Sequence, residues 1–177
     1  MKLAHNIVDE EDYQRVGRHS NYNSIQQIID CQEPIGFDGI YRNVYENQSC
    51  LENKSGILFV MGDFVGKNNS FDLAHVPRLE QYCDWDEIMF IIKNYNFTLG
   101  WHTWSHPDLT TLSREEIMRE ITPPVPMYYF AYPYGRYNDL VVECVKLVGY
   151  KAAWSVTQGS TNPNENDYIF KQYRSYL

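Results

Sequence analysis

Two histidines four residues apart, in the run His102-Thr103-Trp104-Ser105-His106, stand directly after an apolar stretch and directly before Pro107. That spacing lets both rings converge on one point in a helical turn or a tight loop, and imidazole is the commonest neutral ligand for zinc-like metals. The pair alone does not make a metal site. A third ligand is needed, and two histidines that are merely hydrogen-bonded or face solvent are the plainer alternative. Location adds weight, because strand C-terminal ends are where barrels and wound sheets assemble active sites. Asp38 holds an equivalent place, closing the apolar run Pro34-Ile35-Gly36-Phe37. A carboxylate there can serve as ligand, general base or helix N-cap, while Asp38-Gly39 is also a favoured turn dipeptide. A third stretch, Phe130-Ala131, ends in Tyr132-Pro133-Tyr134-Gly135. Proline fixes its own φ and lacks a donor, so the following N–H, that of Tyr134, can point into a cleft as an oxyanion donor; a rigid turn with two packed tyrosines is the alternative.

The elements that must carry these residues follow from periodicity. Short apolar runs at 3–8, 34–38, 57–61, 97–102, 127–132 and 152–156 alternate with amphipathic helical patterns, the sign of an α/β domain with a mostly parallel sheet. Asp84 with Glu87, and Ser113 with Glu116, make capping-box patterns ahead of apolar helical residues, and Asn138 opens a third helix through Val141, Val142 and Val145. Gly56 and Gly149 stand where a left-handed helix C-cap is wanted, each followed by a strand. Loops are expected at 66–70, 123–126 and 158–167, rich in Gly, Pro, Asn and Ser. With 177 residues and no internal repeat or linker, one domain over 1–177 is expected.

Composition narrows the partners. A net charge of −8 and a pI near 5.0, with no dense basic run, argue against nucleic acid and anionic lipid as partners. The 15% aromatic content suits a surface on which pyranose faces stack, although cores use such rings equally. Cys31, Cys50, Cys83 and Cys144 are widely spaced without CxxC pairs, so reduced structural thiols are expected. The start, Met1-Lys2-Leu3-Ala4-His5-Asn6, carries no apolar signal core and no stretch is long enough to span a membrane; a cytoplasmic protein without membrane insertion is expected.

Taken together and in order, the three pieces resemble the polysaccharide deacetylase (NodB-like) family. Phe37-Asp38-Gly39-Ile40-Tyr41-Arg42-Asn43 is similar to the family's first motif, usually TFDDGYxN. His102-Thr103-Trp104-Ser105-His106-Pro107, followed by Leu109 and Leu112-Ser113, is similar to the second, HSxxHP with its downstream helix, and Tyr132-Pro133-Tyr134-Gly135 to the third. Gly56-Ile57-Leu58-Phe59-Val60 and Trp85-Asp86-Glu87-Ile88 match the strand and helix between them, so the likeness runs over roughly residues 3–174. It implies a distorted, incomplete (β/α) barrel with the site at its C-terminal rim. It also implies metal-assisted removal of an acetyl group from an N- or O-acetylated carbohydrate, in surface polysaccharide biosynthesis. Under that likeness a divalent cation, zinc foremost, is held by His102, His106 and Asp38; Asp38 is also the candidate base and the Tyr134 amide the oxyanion donor. Trp101, Trp104, Tyr132, Pro133 and Trp154 are expected beside the sugar.

Two departures from the family pattern stand out. Its first motif has adjacent aspartates, one as base and one as ligand, where this chain has Asp38 then Gly39. A general-acid histidine near the C-terminus has no counterpart after Val156, leaving His5, His19 and His75 as spare imidazoles. Asp63 or Asp84 can compensate for Gly39 only if the fold brings them to the site. A carbohydrate-binding or scaffold protein that keeps the cleft without hydrolysis is therefore the second reading.

Overall fold

The computed structural model describes residues 1–4, 6–8, 22–73, 78–155 and 170–171. The expectations for His5, His19, His75, Val156 and the loop at 158–167 lie outside the described residues. Nine strands are seen among those described: β1 (Lys2–Ala4), β2 (Asn6–Val8), β3 (Tyr22–Ser24), β4 (Ile35–Asp38), β5 (Ser55–Val60), β6 (Asn96–Trp101), β7 (Tyr129–Ala131), β8 (Ala152–Ser155) and β9 (Phe170–Lys171). Seven of them form one parallel sheet in the order β1-β4-β5-β6-β7-β8-β9, while β2 and β3 pair separately. Sequential neighbours joined by crossovers and curled into a half-barrel make the incomplete (β/α) barrel that the motifs imply.

Among the described residues five α-helices accompany the strands: α1 (Ile25–Asp30), α2 (Arg42–Glu46), α3 (Trp85–Asn94), α4 (Arg114–Ile121) and α5 (Asp139–Val148). The three expected caps are in place. Asp84 accepts from the Glu87 amide and Ser113 from the Glu116 amide, each with the reciprocal bond of a capping box, and Asn138 accepts from Val141. Such caps contribute about 1 kcal/mol each, which fixes where each helix leaves the sheet. Gly149 ends α5 at φ 94°. Gly56 departs from expectation: it is an interior residue of β5, not a helix cap. A Cβ there would lie 1.8 Å from the Ile35 carbonyl oxygen, so the glycine answers to the close approach of β4.

The period of two along the strands sorts side chains onto two faces. Phe37, Leu58, Val60, Trp101, Phe130 and Ala153 belong to the main core, with Ile88 and Ile91 of α3, Ile117 and Ile121 of α4, and Val141 and Val145 of α5. Ile57, Phe59 and Ala131 turn the other way and pack with Met1, Tyr129 and Trp154. Asp38, one residue after Phe37, and His102, one after Trp101, follow the second set by this parity. The His102 amide donates to the Val60 carbonyl at 2.8 Å, continuing the β5–β6 ladder, so the imidazole is set by sheet geometry as rigidly as a strand residue. The four cysteines are free and buried, as expected of structural thiols. Among the described residues no helix is long and apolar enough to cross a membrane.

Candidate active site

His102 is 3% exposed, and its Nδ1 lies 2.7 Å from the Ala131 carbonyl oxygen. A carbonyl can only accept, so the ring carries its proton on Nδ1 and presents the Nε2 lone pair. Burial pushes this imidazole down from its ordinary 6.5 to about 4, against a smaller upward pull from the Ala131 hydrogen bond. It is therefore neutral at pH 7, the form in which imidazole binds a cation.

His106 reaches the same point through a strained loop. Thr103, fully buried and β-branched, sits at φ 71°, and His106 itself at φ 59°. Left-handed backbone at such residues is held by surrounding contacts rather than by preference. The His106 amide donates to Thr103 Oγ1 at 3.0 Å, and the Gly62 and Asp63 amides donate to the Thr103 and Trp104 carbonyls at 3.0 and 2.9 Å. The result places His106 Nε2 3.2 Å from His102 Nε2. Two ligands of a tetrahedral zinc, bonded at about 2.0–2.1 Å, stand about 3.3 Å apart, so this edge already has the required length.

Asp38 supplies the third group. Its Oδ2 lies 4.0 Å from His102 Nε2, with its side chain 12% exposed. That separation exceeds the tetrahedral edge by roughly 0.7 Å. Accordingly, among the described residues no three His, Cys, Asp or Glu side chains stand as a finished metal cage. The donor set, two imidazole nitrogens and a carboxylate oxygen, nevertheless suits a zinc-type cation with one coordination position left for water or substrate. Among the described residues neither aspartate suggested as a substitute completes the set: Asp84 is committed to capping α3, and Asp63 lines the cleft beside Trp104.

Gly39, where the family pattern has its second aspartate, has φ 61°, and its amide donates to the Phe59 carbonyl. A Cβ at this position would come 2.6 Å from Met61 Cε. Gly39→Asp is thus expected to cost about 1–2 kcal/mol from the left-handed backbone alone, with no gain in zinc affinity or acetate release. A denaturant midpoint and a zinc titration of the variant check both halves.

The rim turn is also left-handed, with Tyr134 at φ 56° and Gly135 at φ 67°. Hydrogen bonds from the Gly135 amide to the Tyr132 carbonyl and from Ser155 Oγ to the Gly135 carbonyl hold it, at 2.8 and 2.7 Å. The Tyr134 ring is 46% exposed with its centroid 4.6 Å from that of His106, and the Arg136 guanidinium lies 5.7 Å from the Tyr134 centroid. Arg136 pairs with Asp108 at 2.6 Å. Hydrogen bonds from Thr110, then from Arg136, hold the Asp108 carboxyl below its ordinary value.

The structure thus gathers Asp38, His102, His106 and Tyr134. Of the expected rings, it withdraws two. Trp101 is 0% exposed and spends its Nε1–H on the Glu120 carbonyl, and Tyr132 and Pro133 are buried, with Tyr132 packed between Phe130 and Tyr137. Both Trp101 and Tyr132 sit on the helix face by parity and offer no ring to a sugar. Trp154 is half-buried against Phe59 and Tyr129. Trp104, whose Nε1–H is held by the Thr122 carbonyl, lines a cleft of about 900 Å³ with Ser105, Pro107 and Asp63. Phe71, which the sequence did not single out, is 45% exposed, stacks on Phe64 at 4.1 Å and lies 6.3 Å from the His106 ring. Phe71 and Tyr134 therefore flank His106 as exposed rings.

His102 also ties the site to stability. Between pH 6.5 and about 4 the unfolded chain takes up a proton on this imidazole and the folded chain does not. Stability fully present above pH 6.5 is then lost as pH falls. The share is roughly 2–3 kcal/mol between pH 7 and 4.5. Denaturant titrations in chelator at those two pH values are expected to show it, and His102→Gln to remove it.

The polysaccharide deacetylase family model matches residues 52–153, a stretch holding His102, His106 and Tyr134. Poly-β-1,6-N-acetyl-D-glucosamine N-deacetylase of Staphylococcus aureus (strain MRSA252) is 23% identical over 154 residues, covering 76% of this chain and 51% of its own length. The chain thus spans about half the length of the curated relatives it matches. Among solved structures, a polysaccharide deacetylase from Bacillus cereus superposes with a TM-score of 0.71 at 17% identity, covering 97% of this chain and 62% of that one. IcaB from Ammonifex degensii superposes with a TM-score of 0.68 at 15% identity, covering 97% and 89%. More than half the chain falls within the family model, on the same fold, and the protein belongs to the polysaccharide deacetylase family.

Proposed function

We propose that this protein is a metal-dependent hydrolase that removes N-acetyl groups from a polysaccharide built of N-acetylated hexosamine units. The observation that carries the reading is the convergence of His102 Nε2, His106 Nε2 and Asp38 Oδ2 at the C-terminal end of a parallel sheet. His102, His106 and Asp38 would hold the cation. A zinc-type ion there supplies Lewis acidity, polarising the acyl oxygen and lowering the pKa of water toward ~7. Asp38 has two oxygens, so one can face the cation while the other takes a proton, the two duties that paired aspartates divide elsewhere. The Tyr134 amide, on its left-handed turn, is the proposed donor to the developing oxyanion. Phe71 and Tyr134 are the proposed stacking faces for the sugar, replacing the buried Trp101 and Tyr132.

The substrate class comes from the curated relatives, which are named for poly-β-1,6-N-acetyl-D-glucosamine. Oligomers of that polymer, incubated with the zinc-loaded full chain, are expected to release acetate, and chelator is expected to stop the release. Acetate release unchanged by chelator would remove the metal from the proposal, and inertness after zinc, cobalt or nickel addition would remove hydrolysis. One observation favours a second reading, a sugar-binding protein with impaired hydrolysis: Asp38 is followed by Gly39 where the family pattern has a second aspartate, and its carboxylate stands 4.0 Å from the His102 imidazole. That reading predicts calorimetric binding of the same oligomers, indifferent to chelator, without acetate.

A further inference from the structure

We infer that Glu120, on α4, is a positioning residue that holds the imidazole loop in its converging shape. Its Oε2 accepts hydrogen bonds from the Trp104 amide at 3.0 Å and the Ser105 amide at 2.9 Å, and its Oε1 accepts from Ser105 Oγ at 2.8 Å. The Glu120 carbonyl adds a bond from Trp101 Nε1–H at 3.0 Å and a longer one from the Trp104 amide at 3.2 Å. One residue of a neighbouring helix therefore grips the chain immediately before His102 and between the two histidines.

Such a grip has a physical reason. The loop contains Thr103 and His106 in left-handed conformations that neither residue favours, so the convergence of the imidazoles persists only if the surroundings over-determine it. From one side the Gly62 and Asp63 amides hold the Thr103 and Trp104 carbonyls. From the other side it is the Glu120 carboxylate that accepts from the next two amides, with charge-assisted bonds. Its carboxylate is engaged by the loop and lies outside the donor set of His102, His106 and Asp38, so its effect on the centre is through the backbone. Partners of this kind, one layer behind metal ligands, typically change metal affinity by 10–100-fold.

The affinity part of the test rests on the proposed metal site; the backbone part does not. Glu120→Gln keeps an oxygen for the Trp104 and Ser105 amides and an amide that Ser105 Oγ can bond, so a geometric role predicts rescue. Glu120→Ala removes every side-chain acceptor, and Glu120→Asp withdraws the carboxylate by one methylene. Zinc affinity of the full chain, by competition titration, is expected to fall about 10–100-fold in Glu120→Ala, to fall partway in Glu120→Asp and to stay within about 3-fold in Glu120→Gln. Hydrogen exchange at the Trp104 and Ser105 amides is expected to speed up in the first two and not in the third. If Glu120→Ala does not fold, the Asp and Gln pair carries the comparison. Wild-type affinity and protection in Glu120→Ala, or equal losses in Glu120→Gln and Glu120→Asp, overturn the inference. A wild-type chain that binds no zinc refutes the metal reading instead, and the amide exchange still decides the role of Glu120.

Discussion

Replacing His106 with alanine is expected to reduce acetate release at least about 10³-fold, to weaken zinc binding by a similar factor and to leave the fold intact. The reasoning is one of ligand count. His102 and His106 provide a pair of donors already at zinc-edge separation, 3.2 Å. Without His106 the proposed donor set is reduced to one imidazole and a carboxylate 4.0 Å from it, so affinity and rate are expected to fall together. His106 is only half-buried and its ring rests beside Tyr134 and Phe71 at the rim, so truncation removes little core packing. Acetate assays, zinc competition and a melting curve on the same preparation separate the loss of chemistry from a loss of folding.

Asp38→Asn is expected to have a comparable or larger effect on rate. Asparagine keeps the shape of the side chain but removes the charge that attracts a dication and the basic oxygen that receives a proton. General base catalysis alone contributes about 10²–10⁴-fold, and loss of a charged ligand compounds it. Because the sequence has Asp38-Gly39 where the family pattern has two aspartates, both proposed duties are expected to fail in one substitution. The signature is a fall in kcat/KM with zinc affinity reduced at the same time. If Asp38→Asn lowered the rate while zinc bound as before, Asp38 would be base only and another group would complete the cation's ligands.

Much of this architecture is legible in the sequence because it is locally determined. Strand ends at 38 and 101, and helix starts at 84, 113 and 138, are set by period-two alternation and by capping residues that act within a few positions. Gly56 differs: the need for glycine there comes from the Ile35 carbonyl on the adjacent strand, which no local pattern announces. The burial of Trp101 has a reason that is present in the sequence. Trp101 and His102 are consecutive in an extended segment, so parity sends them to opposite faces, and a tryptophan on the helix side cannot meet the substrate. Phe71 and Glu120 were invisible for the opposite reason. Each arrives from a segment remote from the histidines, Phe71 on the loop after β5 and Glu120 on α4, and only the fold brings them to the rim. The strain at Thr103, His106 and Tyr134 is equally unreadable from residue type, since threonine, histidine and tyrosine carry no preference for positive φ of the kind glycine has.

The proposed cation seat shared by His102 and His106 is open to X-ray scattering at the zinc absorption edge from crystals of the zinc-soaked full chain. One anomalous peak is expected about 2.0–2.1 Å from Nε2 of both rings, with an Asp38 oxygen drawn in to a similar distance. Crystals with no peak between the two imidazoles, or with zinc seated elsewhere and the rings unchanged, would contradict it.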